Sequence, residues 1–184
     1  MSIEKWSRLS KETVFRCPYY VLSHDRYRLP NGEVTSYHYV DIPGSTMVVP
    51  ETEDGRLLLV RQYRYLMGRE SLEFPAGGMP LGSEPQQNAR KELLEETGFR
   101  AERWRSLGKF APYNGVSNEF CHVFHATDLV AHRPDPDHTE EIELVWMHPG
   151  QVRAEIRDGR FWDGMSIAAF RFFELMVEDG RIAP

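Results

Sequence analysis

The chain has 184 residues, 41% hydrophobic, 12% aromatic and 27% charged, with 22 basic against 28 acidic side chains. That balance excludes a disordered polymer and fits one domain with its own core, or a domain with a small appendage. The formal net charge of −6 argues against a nucleic-acid backbone or an anionic membrane as partner. No apolar run approaches the ~18 residues of a membrane span; Leu57-Leu58-Leu59-Val60 is typical. Met1 to Arg8 lacks the apolar stretch of a signal peptide, so a cytoplasmic protein is expected. Cys17 and Cys121 have no CxxC spacing, and two free thiols in a reducing compartment are expected.

The first third reads as β structure. Glu12 to Cys17, Tyr19 to Leu29 and Glu33 to Val40 are rich in aromatic and β-branched residues. Pro30-Asn31-Gly32 separates the last two, and Asn-Gly is a hairpin signal because both residues tolerate positive φ. Met47 to Pro50 and Arg56 to Arg64 continue the pattern, joined around Glu53-Asp54-Gly55. An N-terminal antiparallel unit therefore feeds a central sheet.

Pro75 to Gly82 is a loop rich in glycine and proline, and Ser83 ends it. Ser83 with Gln86 reads as a capping box, Glu84 and Pro85 suit a first helical turn, and Gly98 suits a C-terminal cap. The segment between is expected to be a helix of roughly four turns, with an apolar stripe from Ala89, Leu93 and Leu94. Ala101 to Lys109, Phe120 to Ala126 and Ile142 to Met147 read as strands. Ala131 to Thr139, with Pro134 and Pro136, reads as a mobile loop. Gln151 to Ile156 reads as a short helix, and Met165 to Val177 as a packed terminal helix. The sum is an α+β fold.

The chemistry concentrates on the central helix. Glu92, Glu95 and Glu96 stand at i, i+3 and i+4, so their carboxylates share one face, with Lys91 the nearby cation. An exposed acidic face is the bland explanation. The glycine-rich loop running into the helix favours a site for a hard divalent cation, which takes clustered oxygen ligands, waters and substrate phosphates. The cluster contains no histidine or cysteine, which disfavours zinc.

Gly77 to Phe99, GGMPLGSEPQQNARKELLEETGF, resembles the Nudix box, G-x5-E-x7-R-E-U-x-E-E-x-G-U with U a bulky apolar residue. Gly77 is its opening glycine, Glu92 follows the basic position, Leu93 is the first U, Glu95-Glu96 the acidic pair, and Gly98-Phe99 the close. Ser83 stands where the box has its first glutamate, with Glu84 one residue late, and Lys91 stands where it has arginine. Lysine keeps the charge and loses the bidentate fork.

The resemblance implies an α/β/α sandwich that uses Mg²⁺ or Mn²⁺ to split a nucleoside diphosphate linked to another moiety. By the same similarity the metal ligands are Glu92, Glu95, Glu96 and the backbone carbonyl of Ala76. Val60-Arg61-Gln62-Tyr63-Arg64, followed by Leu72 to Gly77, resembles the ADP-ribose and nucleoside-diphosphate-sugar pyrophosphatase branch. That implies Arg64 at the diphosphate, with Arg61 as second candidate, and Glu73 as a substrate- or metal-supporting carboxylate. Glu119 is a candidate for sugar hydroxyls. Asn114 stands where ADP-ribose specialists carry a second proline before glycine, which favours a broader range of sugar nucleotides. The general base of that branch comes from an acidic loop before a late strand, here Asp137 to Glu143; Glu141 and Glu140 are both candidates, ahead of His138.

The branch also implies a homodimer through the N-terminal β unit. Residues 1–44 would then serve dimerisation and base binding, with Tyr20, Tyr27, Tyr37 and Tyr39 as stacking candidates, and 45–184 would form the Nudix hydrolase domain. Two other readings remain: a domain that senses a nucleotide sugar without hydrolysing it, and a hydrolase of nucleoside triphosphates.

Overall fold

The computed structural model describes residues 4–132 and 141–182. Strands β1 (Ser7–Arg16), β2 (Val21–Arg28) and β3 (Val34–Asp41) form an antiparallel three-stranded sheet at the N-terminal end. Between β2 and β3 only Gly32 takes a positive φ, +89°, not both turn residues as the Asn-Gly signal implies. Leu29 N–H donates to the Glu33 carbonyl at 2.9 Å and Asn31 Oδ1 accepts from Glu33 N–H at 3.0 Å. This is a three-residue hairpin loop with glycine in the left-handed position.

The main body begins with β4 (Ser45–Pro50), β5 (Leu57–Arg64), β6 (Arg69–Glu73) and β7 (Ala76–Gly78). Helix α1 (Pro85–Thr97), β8 (Phe99–Phe110), β9 (Cys121–Ala131) and β10 (Glu143–Met147) follow. Helices α2 (Pro149–Arg157) and α3 (Gly164–Glu178) complete the order. One sheet runs β7-β4-β9-β8, with β4 and β9 parallel, and another runs β10-β5-β6.

β4 is buried along its whole length, and its alternation sorts the core. Val48 packs with Ala89, Leu93, Ala101 and Phe124 under α1. Met47 and Val49 enter the larger cluster with Val123, Phe170 and Phe173, to which the second sheet adds Leu57, Leu59, Leu72 and Phe74. The sheets therefore lie between α1 on one side and α3 on the other, as the α+β sandwich expectation requires.

Three local expectations change. α1 begins one residue later than the capping box placed it: Glu84 is the N-cap, without a side-chain cap bond, and Pro85 opens the helix. Proline at the first helical position has its φ already set and its missing N–H costs nothing there. Ser83 instead donates its hydroxyl to the Pro80 carbonyl at 2.7 Å. β6 and β7 lie where the sequence reads as the approach to a loop and the loop itself; β7 is a strand because β4 pairs with it, not through its own propensity. The Ala131–Thr139 loop falls mostly on residues 133–140, outside the described residues, whereas Ala131 ends β9. At the far end of α1 the expected cap is present: Gly98 has φ +71° and its N–H reaches the Leu94 carbonyl at 2.8 Å.

Candidate active site

The segment joining β6 to β7 is held residue by residue. Phe74 N–H donates to Ser166 Oγ at 3.0 Å from the first turn of α3. The Pro75 carbonyl accepts from Val48 N–H at 2.9 Å, and Ala76 N–H donates to Glu96 at 3.2 Å. Met47 pairs with Ala76 and Thr46 with Gly77 in the β4–β7 ladder. A loop rich in glycine thus has a fixed course against the middle of α1.

The three helix glutamates do not stand alike. Glu96 faces the loop through Ala76, and a Cβ built on Gly77 would come within 2.2 Å of Glu92 Cδ and 2.3 Å of its Oε2. Only glycine leaves that carboxylate its place over the loop. Glu95 instead meets Lys91, Nζ to Oε2 2.5 Å, with Glu92 Oε1 at 3.7 Å from the same ammonium. The bond to Glu95, with both carboxylates nearby, holds the Lys91 pKa above its ordinary value.

A hard divalent cation fits this donor set. Glu92, Glu95, Glu96 and the Ala76 carbonyl all carry oxygen donors, and Gly77 lacks the Cβ that would displace the Glu92 carboxylate. Among the described residues no three Asp, Glu, His or Cys side chains already converge on one point. The ammonium of Lys91 occupies Glu95 meanwhile.

Arg64 and Glu73 meet each other. Arg64 Nε donates to Glu73 Oε1 at 2.7 Å and its Nη2 to Oε2, while Gln62 Nε2 reaches Oε2 at 3.3 Å. Glu73 is buried and Arg64 half-exposed. The Glu73 bond raises the Arg64 pKa, and the charges of Asp163 and Glu96 add to it. Arg64 therefore faces the same acidic neighbourhood as the helix stripe. Arg61, an odd number of residues away along β5, projects from the opposite face. There it pairs with Glu143 at 2.8 Å and lines a cleft of about 520 Å³ with Tyr63, Glu70 and Glu141. The structure thus separates Arg61 and Glu141 from the group around Arg64; Glu140 and His138 lie outside the described residues.

Glu119 accepts a 2.5 Å bond from Ser45 Oγ, at the start of β4. The loop before it docks on β3: Val40 N–H donates to the Val116 carbonyl at 2.8 Å, and Ile42 N–H to Asn118 Oδ1 at 2.9 Å. Tyr37 donates its hydroxyl to the Gly115 carbonyl at 2.7 Å, which accounts for one stacking candidate. Tyr27 stacks on Trp6 at 5.2 Å, Tyr39 lies under Lys11, and Tyr20 is exposed beside Phe15. Burial pushes the Cys121 thiol up to about 11, with the Glu119 and Asp163 charges adding to the effect. The Asp163 charge thus contributes to raising the pKa of both Arg64 and Cys121.

Asp163, Ser166 and Asn88 are absent from the sequence-derived site. Asp163 caps α3 by accepting from Ser166 N–H at 2.7 Å; the run Asp163-Gly164-Met165-Ser166 before an apolar helix carries that signal. Asn88 bonds Thr46 Oγ1 at 2.9 Å, a contact that the packing of α1 on β4 creates.

The NUDIX domain family model matches residues 41–170. That is well over half of the chain, and the protein belongs to the Nudix family. It is 28% identical over 169 residues to the ADP-ribose pyrophosphatase of Bacillus subtilis (strain 168), covering 91% of each chain. It is 29% identical over 171 residues to the ADP-ribose pyrophosphatase of Mycobacterium tuberculosis (strain ATCC 25618 / H37Rv), covering 91% of this chain and 83% of that one. A crystal structure of an ADP compounds hydrolase superposes with TM-score 0.83 at 23% identity, covering 99% of this chain and 100% of that one, and shows the same fold. No helix among the described residues is long and apolar enough to cross a membrane.

Proposed function

We propose that this Nudix protein hydrolyses the diphosphate linkage of nucleoside diphosphate sugars, ADP-ribose among them, to a nucleoside monophosphate and a sugar phosphate. The observation that carries the reading is the Glu92–Glu96 edge of α1 set against the Ala76–Gly77 backbone with no side chain between. Two relatives that share 91% of this chain's length are ADP-ribose pyrophosphatases, which supports the substrate class.

In this reading Glu92, Glu95, Glu96 and the Ala76 carbonyl would hold Mg²⁺ or Mn²⁺, and Lys91 is the cation that now pairs with Glu95. The bound ions supply neutralisation of the diphosphate and a water of lowered pKa. Arg64 has five N–H donors, and Glu73 engages two of its nitrogens, so the Nη1 end is left to meet a phosphate oxygen. Glu73 then acts through Arg64 by fixing its plane. Glu119 accepts from a sugar hydroxyl. Glu141 or Glu140 is the general base of this reading. Glu141 lines the Arg61 cleft on the other face of β5 from Arg64, so taking the proton of the attacking water requires it to leave that cleft.

Residues 1–44 form the unit that joins two copies and helps bind the base, and 45–184 form the catalytic domain. The exposed Trp6, Leu9, Val14, Phe15, Tyr19 and Tyr20 of the N-terminal unit support the homodimer. The acidic net charge supports a small nucleotide substrate over nucleic acid or membrane, and a cytoplasmic setting follows the sequence reading.

Incubation with ADP-ribose and Mg²⁺, read by product analysis, tests the proposal. Formation of AMP and ribose 5-phosphate is expected. Saturable binding without product would replace hydrolysis by sensing.

A further inference from the structure

Asn88 is a polar residue in the buried face of α1, beside Ala89 and one turn before Glu92, and only 4% of it is exposed. Asparagine is a poor helix former, and a buried amide is unfavourable unless its hydrogen bonds are made. The box pattern leaves this position open. A small apolar residue like its neighbour Ala89 would satisfy both the helix and the core, so the amide has to be explained by what it touches.

Its Nδ2 donates to Thr46 Oγ1 at 2.9 Å and points at the Gly77 carbonyl at 3.5 Å. Thr46 and Gly77 are register partners across β4 and β7. One side chain from the helix therefore grips both strands at a single rung. Asn88, Glu92 and Glu96 follow at i, i+4 and i+8, one line along the helix. Beneath that line lie, in order, the Gly77 carbonyl, the Gly77 Cα that Glu92 covers, and the Ala76 N–H that Glu96 accepts.

We infer that Asn88 is the positioning residue that sets the glutamate edge of α1 in register with the Ala76–Gly77 backbone. Without the amide, the helix is still packed on the sheet through Leu93 and Ala89, but the polar clamp at the loop end of the line is gone. Small displacements of ligand oxygens matter because a cation demands its donors at fixed distances, and groups that orient metal ligands typically control affinity.

The inference rests on the proposed metal-dependent hydrolysis, and its test separates the two. Mn²⁺ is titrated into the full chain without nucleotide, with free Mn²⁺ followed by electron paramagnetic resonance, for the unaltered protein, Asn88→Ala and Thr46→Val. Thr46→Val removes the partner hydroxyl with little change of shape, and decides the matter should Asn88→Ala fail to fold. Both variants are expected to bind Mn²⁺ roughly tenfold or more weakly. Their kcat with ADP-ribose should fall while KM stays near that of the unaltered protein. A lowered melting temperature with unchanged Mn²⁺ affinity would overturn the inference, since a purely structural amide gives that result. If the unaltered protein binds Mn²⁺ but turns over no sugar nucleotide, the functional reading fails, and the Mn²⁺ titrations of the variants still decide the role of Asn88.

Discussion

The carboxylate of Glu92 lies over the Cα of Gly77, within 2.2 Å of where a side-chain carbon there would sit. The clash in Gly77→Ala falls on the far end of a flexible side chain, so the loop and helix keep their places while the carboxylate moves. Gly77→Ala should therefore melt near the unaltered protein and lose roughly 10- to 100-fold in activity, the range for disturbed metal ligation. Thermal denaturation beside steady-state turnover checks this. Full activity would show that the position of Glu92 is not critical.

The Arg64–Glu73 pair is lopsided, with 5% of the Glu73 side chain exposed against 47% of Arg64. Removing Arg64 strands a buried carboxylate; removing the charge of Glu73 leaves a guanidinium that water can reach. Arg64→Ala should cost about 1–3 kcal/mol, reduced from the fully buried case by Arg64's exposure, and Glu73→Gln less. Urea denaturation of the two variants gives the order, and the reverse order contradicts the account. Arg64→Lys keeps the charge without the fork, so it should raise KM for a sugar nucleotide.

Cys121 is buried and its thiol is pushed up to about 11 from an ordinary 9.0. The folded protein thus holds this proton more tightly than the unfolded chain. Its contribution to stability is complete below pH 9 and is lost as pH rises toward about 11. At pH 8 an alkylating reagent should leave Cys121 unmodified in the native protein and label it in denaturant. Mass spectrometry of the two samples reads the difference; native labelling at Cys121 would contradict its burial.

What the sequence reveals follows from how local each cause is. The course of α1 and its Gly98 cap are legible because capping chemistry and the glutamate spacing lie within one segment. The start of α1 is misread by one residue because two local signals compete, and Pro85 prevails over the Ser83 box. β7 is illegible since Ala76-Gly77-Gly78 becomes a strand only through Met47 and Thr46 on β4. The candidate site divides likewise. Glu92 and Glu96 face the loop and Lys91 pairs with Glu95 at i,i+4, both within reach of helical spacing, whereas the capture of Arg64 by Glu73 depends on the pairing of β5 with β6. Asn88 and Asp163 gain their meaning from partners distant in the chain.

The N-terminal sheet exposes Leu9 and Phe15 on β1. If that unit joins two copies, sedimentation should give twice the 21.4 kDa chain mass, and Phe15→Asp should shift the species toward the monomer. A monomeric unaltered protein would remove the dimer from the account.

The most direct measurement is product analysis after incubation with Mg²⁺ and, separately, ADP-ribose, ADP-glucose, GDP-mannose and UDP-glucose, for the unaltered protein and Glu96→Gln. The account predicts a nucleoside monophosphate and a sugar phosphate from at least ADP-ribose, and none from the folded variant. No turnover of any substrate, with Mn²⁺ also supplied, or near-normal turnover by Glu96→Gln, would contradict it.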